Sequence, residues 1–172
     1  MLKDAITILA NYNKSVNENM NGVIETLNED EWDKPLGIYF PSVRSICSHI
    51  YICDFNWLLR FGNIRSFRIL SDPFFKNSFS FGDVLFNDMG EYLEKRPDLD
   101  NKIISFTEEL TGADLEVVLK YHDSEGIPFA KNSGGCILHF LNHQVHHRGM
   151  ISAYLEMLGR ENDFCSLVEY IN

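Results

Sequence analysis

Apolar residues recur at intervals of three and four along four stretches of the chain, the spacing of helices that bury one face. The first stretch covers residues 2–27, with Leu2, Ile6, Leu9, Val16, Met20, Val23 and Leu27 in one stripe. Asn13 lies on that stripe, either as a bonded core amide or as the lining of a polar cavity. The run Asn28-Glu-Asp-Glu-Trp32 ends this helix, and Pro35, Gly37 and Pro41 keep the connection irregular. The second stretch, residues 42–61, has Ser42 in position to cap it and a main stripe of Val43, Ile46, Ile50, Cys53, Trp57 and Phe61. Tyr51, Ile52, Phe55 and Leu59 make its other side apolar too, so it must be covered twice, by a further helix layer, by the following loop or by another subunit.

Periodicity then fails over residues 62–86, where Phe67, Phe74, Phe75, Phe79 and Phe81 crowd a segment too aromatic for disorder. Such a segment packs over the helices as a plug or walls a pocket. A third helix is expected over residues 89–110, with Pro97 either breaking it or starting its main part. Residues 115–131 read as two extended pieces about a turn at Asp123–Gly126, with His122 on the surface. Gly134 and Gly135 lead into the fourth helix, residues 136–158, which stops at Gly159. The tail from Phe164 to Ile171 looks helical. The pattern predicts an all-α chain: a four-helix bundle in one domain, 1–172, with a long aromatic loop between helices two and three and a small hairpin before helix four.

Charge and composition narrow the function classes. The net charge is −10 with no basic cluster, which speaks against nucleic acid and anionic membrane as partners. No apolar run reaches membrane-spanning length, and the N-terminus reads as the first helix rather than a signal peptide. Cys47, Cys53, Cys136 and Cys165 form no CxxC pair, which fits a reduced, cytoplasmic protein.

The fourth helix carries four of the six histidines. At 100° per residue, His139, His143 and His147 stack on one face, with Cys136, Met150 and Tyr154. Neighbours in that ladder are i, i+4 pairs able to aim two imidazoles at one point. His139 and His147 are about 12 Å apart along the axis, so all three cannot share one ion. His146 lies about 60° round the wheel from His143. Several neutral imidazoles on an apolar face each need partners, and leaving one unpaired costs about 1–3 kcal/mol. A metal serves two or three at once. A third ligand must come from another helix, and His49, at the edge of the second helix's stripe, is the only other histidine on a core helix.

Together, HFLNHQVHHRG in the fourth helix, His49 and the following DFNWLLRF in the second, and YNKSVN in the first resemble the DinB family, whose members are expected to be metal enzymes on a four-helix bundle. The resemblance covers the whole chain. It implies an up–down–down–up helix order and one divalent metal, zinc or nickel, held by His49, His143 and His147. It thereby selects that pair over His139 and His146. It further implies a thiol-cofactor-dependent transferase, or a metal-dependent hydrolase, acting on a small-molecule substrate. A low-molecular-weight thiol is then a further cofactor. A homodimer is expected from the resemblance and from the apolar surplus of the second helix. The alternative is a metal- or small-molecule-binding stress-response protein without turnover. One departure stands out: Met150 occupies the place after HHRG where the family commonly has Gln. Asp54 and Tyr154 are the available general-base candidates. Arg148, directed away from the ligands, either pairs with Asp54 or is solvated.

Overall fold

The computed structural model describes residues 1–37 and 39–171, and these are mostly helical. Helix α1 (Leu2–Ile24) ends three residues before the apolar stripe does. It buries Ile6, Ala10, Val16, Met20 and Ile24, and with them the amides Asn13, Asn17 and Asn21. Asn28 then starts a new turn instead of merely ending the old one. Its side chain accepts from the Glu31 N–H while the Glu31 carboxylate accepts from the Asn28 N–H. This reciprocal cap nucleates the one-turn helix α2 (Glu29–Trp32) and seats Trp32 5.5 Å from the ring of Tyr92.

Helix α3 (Val43–Phe61) starts at the expected cap, Ser42, which exchanges hydrogen bonds with Ser45. The aromatic segment covers its outer side. Phe55 meets the rings of Phe74, Phe75 and Phe79 at 5.5, 5.5 and 4.8 Å, and Tyr51 meets Phe86 at 5.3 Å. Of the three covers the sequence allowed, the following loop is the one seen, and Leu59 is left 38% exposed. Helix α4 (Met89–Glu109) runs through Pro97, which neither breaks nor begins it. The ring removes one ladder hydrogen bond without ending the helix.

Strands β1 (Val118–His122) and β2 (Pro128–Asn132) form an antiparallel hairpin with Gly126 at φ +80° in its turn, and His122 is exposed. Helix α5 (Ser133–Met157) begins three residues earlier than its apolar pattern, because Asn132 caps it through the Gly135 N–H. Gly134 is therefore inside the helix, at a close crossing. A Cβ there would stand 2.9 Å from both the Leu115 carbonyl oxygen and Leu2 Cδ2. The tail makes a single 3-10 turn, Leu167–Tyr170, rather than an α-helix, and Tyr170 lies edge-on to Tyr12 of α1.

The long helices pack as α1 against α4 and α5, and α3 against α4 and α5. Ring contacts pair His49 with His147 and Trp57 with His139, so α3 and α5 run in opposite directions. Among the described residues no helix is long and apolar enough to cross a membrane.

Candidate metal centre

The antiparallel crossing of α3 and α5 places His49, Cys53 and Trp57, spaced four apart on one helix, alongside His147, His143 and His139 on the other. In this register the three expected ligands meet. His143 Nε2 stands 3.3 Å from His49 Nε2 and 3.0 Å from His147 Nε2. Imidazole nitrogens about 2.0–2.1 Å from a tetrahedral ion stand about 3.3 Å from one another. The spacing thus suits a shared cation. Cys53 joins the group from the same side, its Sγ 3.6 Å from His49 Nε2. The ligand atoms of His49, Cys53 and His143 all lie within 4.8 Å of one another, a His-His-Cys group that could hold a metal ion.

The rings are held by packing. Phe40 lies 4.7 Å from His49 and edge-on to His147 at 5.4 Å. The Tyr154 hydroxyl donates to the Phe40 carbonyl at 3.1 Å, fixing that wall. The Nδ1 atoms of His143 and His147 are buried without a partner among the described residues. Burial, reinforced by the neighbouring imidazoles, lowers the pKa of His143 to about 3 and that of His147 to about 4, and burial lowers His49 as well. All three are therefore neutral near pH 7, the form that can donate a lone pair to a metal. Burial, and then the nearby Asp54, pushes the Cys53 thiol up to about 12.

Other residues are placed differently from the sequence expectation. His139 is exposed rather than core-facing, although its ring still approaches Trp57 at 5.5 Å. His146 is exposed too. Gly149 faces open space, so no close backbone approach explains it, and Met150 is half-buried against the core. Arg148 is neither solvated nor paired with Asp54. It is buried and donates to Asn13 Oδ1, to Asn17 Oδ1 at 3.2 Å and to Gln144 Oε1 at 3.4 Å. Asn13 is thereby a bonded core amide, its own nitrogen donating to the Leu141 carbonyl at 2.9 Å.

Asp54 belongs instead to Arg96. Fully buried, it accepts from Arg96 Nη1 at 2.7 Å, while Arg96 also grips Asp100. Asn17 joins the two halves, donating to Asp100 Oδ1 at 2.9 Å and to Gln144 Oε1 at 3.3 Å. The sequence reading missed this network across α1, α3, α4 and α5. Its signal was there in Asn13/Asn17, Arg96/Asp100 and Gln144/Arg148, polar pairs four apart on buried helices. Burial pushes the Asp54 carboxyl up to about 7 against the opposing pull of Arg96.

Long antiparallel helices with a buried imidazole cluster between two of them define a helical protein with a candidate metal centre. The chain belongs to the DinB family, whose model matches residues 1–172. Neither a curated protein nor a solved structure matches it.

Proposed function

We propose that His49, His143 and His147 bind one divalent cation, zinc or nickel, and that the protein is a metal-dependent enzyme acting on a small molecule. The observation that carries this reading is that His143 Nε2 stands within hydrogen-bond distance of both His49 Nε2 and His147 Nε2, with the His49 and His147 ring centres 4.6 Å apart. His147 is preferred to Cys53 as the third ligand because it is already neutral, whereas the thiol must first lose a proton. The helices would form an up–down–down–up four-helix bundle, supported by the opposite directions of α3 and α5.

An ion on three protein ligands keeps a position for water, substrate or a low-molecular-weight thiol, and would lower the pKa of bound water or thiol. The reaction proposed is a thiol-cofactor-dependent transfer or a hydrolysis. The chain's own part is to hold three imidazoles neutral and to pack the rings of His49 and His147 against Phe40. A cytoplasmic setting, a homodimer, and the lack of nucleic-acid or membrane partners belong to the same proposal. The sequence basis for the dimer is reduced by the aromatic cover on α3, and light scattering measures it.

A second reading, binding without turnover, is favoured by one observation. The two general-base candidates are engaged elsewhere, Asp54 by Arg96 and Tyr154 by the Phe40 carbonyl.

Elemental analysis of protein purified without a metal-affinity tag tests the centre. One equivalent of zinc or nickel is expected, lost in His49→Ala, His143→Ala and His147→Ala and kept in His139→Ala, His146→Ala and Cys53→Ala. Retention in His147→Ala with loss in Cys53→Ala would replace the three-histidine set by the His-His-Cys set. Folded protein that takes up no metal would remove the reading.

A further inference from the structure

The groove between α3 and α5 continues beyond the histidines. One helical turn along both helices, about 6 Å at 1.5 Å per residue, it opens into a cavity of about 380 Å³. Its walls include Trp57, Tyr121, Lys131, Cys136 and His139, with the β-hairpin supplying Tyr121 and Lys131. That volume lies within the range of about 300–1,000 Å³ typical of small-molecule sites. Trp57 packs 5.3 Å from Tyr121 and 5.5 Å from His139. The His139 ring in turn lies 6.2 Å from that of His143.

One cation lines this cavity and a second lies against two of its aromatic walls. The Arg60 guanidinium lies 4.9 Å from the Trp57 ring centre and 5.4 Å from that of Tyr121. Lys131 lines the cavity itself. Among the described residues neither has a carboxylate within ion-pair distance. The nearby acid, Asp123, accepts from the Glu125 and Ile127 N–H groups in the hairpin turn. In a chain of net charge −10, Arg60 over the Trp57 and Tyr121 rings and Lys131 in the wall give this cavity a locally cationic side.

We propose that this cavity binds a small organic anion, a carboxylate on an apolar or aromatic body. The body lies against Trp57 and Tyr121, and the carboxylate meets Lys131 and Arg60. The far end of the ligand then points along the groove toward His143. This deepens the metal reading by naming the substrate class, and it rests on that reading only for what the far end meets.

Phenylacetate and its neutral isostere phenylacetamide are the probes. Trp57 reports binding by fluorescence, and Trp57→Phe identifies its signal against that of Trp32. Both probes are titrated into zinc-loaded and chelator-stripped protein. Phenylacetate is expected to bind saturably and at least about tenfold tighter than the amide, the value of one charge-assisted hydrogen bond. Lys131→Glu, at an exposed position, is expected to abolish that preference while leaving zinc content unchanged. Arg60→Gln is expected to weaken it. Binding to stripped protein that keeps these preferences supports the cavity even if the metal reading fails. Full zinc occupancy without saturable phenylacetate binding overturns the cavity proposal alone. Equal affinity for acid and amide, an unchanged preference in Lys131→Glu, or a signal that survives Trp57→Phe would overturn it as well.

Discussion

Replacing Arg96 by Met should be among the most damaging single changes in the chain. The guanidinium is 1% exposed and stands between Asp54 at 0% and Asp100 at 2%. Met replaces only the aliphatic stem of the side chain and leaves both carboxylates buried without their cation. Breaking a buried pair from one side costs about 3–5 kcal/mol, and here two acids lose the same partner. Domains have a total stability of about 5–15 kcal/mol, so the variant should be marginal at neutral pH. At about 2–4 °C per kcal/mol for a chain of this size, the melting temperature should fall by about 10 °C or more. The pH dependence identifies the cause. With Arg96 present, burial already raises Asp54 to about 7, above its value in the unfolded chain. Without Arg96 the upward push is unopposed. A group with a raised folded pKa contributes stability below its unfolded pKa and loses it as pH rises through the folded value. The defect should therefore be largest at pH 8 and shrink toward pH 5.5, where Asp54 is protonated at less cost. Urea unfolding followed by circular dichroism at the two pH values measures it. Adding Asp54→Asn and Asp100→Asn to Arg96→Met should recover most of the loss. A loss below about 1 kcal/mol at pH 8, or one that grows on acidification, would refute the assignment.

Two glycines of α5 should respond in opposite directions. Gly134→Ala would press a methyl to 2.9 Å from the Leu115 carbonyl and should lower the melting temperature, whereas Gly149→Ala faces open space and should gain about 0.5–1 kcal/mol. Asn28→Ala removes the cap of α2 and should cost about 1 kcal/mol in urea unfolding. In metal-free protein, His143 and His147 carry folded pKa values of about 3 and 4, below the unfolded value of about 6.5. Their contribution is complete above pH 6.5 and is lost as pH falls through 4. Asp54 acts in the opposite sense over that range, so the histidine part is read as the slope that disappears in His143→Gln and His147→Gln.

Elements whose signals are local could be read from the sequence. Ser42 announced α3, the turn residues Asp123–Gly126 announced the hairpin, and the three–four stripes located the long helices. His143 and His147 were legible as potential partners because i, i+4 spacing fixes direction on a helix, and His49 as the only other histidine on a core helix. The choice of this pair over His139 and His146 came from the family resemblance. What failed depended on contacts far along the chain. Gly134 and Gly135 looked like a lead-in, and only the Leu115 crossing gives Gly134 a role inside α5. A helical wheel turns Arg148 away from the histidines correctly. It cannot show that the far side of α5 meets α1, whose Asn13 and Asn17 receive the guanidinium. His139 shows the converse. Its direction was right, but at its level the groove widens into the cavity beside Trp57, and the ring is exposed.

Helix α5 is buried on two polar faces, and each of its two cluster histidines has a network residue next to it in sequence. His143 precedes Gln144, and His147 precedes Arg148. One face meets His49 on α3, and the other meets Asn13 and Asn17 on α1. These neighbours differ by about 100° of helix rotation, so the two faces cannot be adjusted independently. Slipping α5 by one residue would take the Arg148 guanidinium from its amide acceptors and leave a buried charge unpaired, a cost of several kcal/mol. A slip along the apolar stripe alone would meet much less resistance, since aliphatic contacts are non-directional. The network therefore fixes the rotation and register at which the imidazole nitrogens converge. It does so from the side of α5 that meets α1.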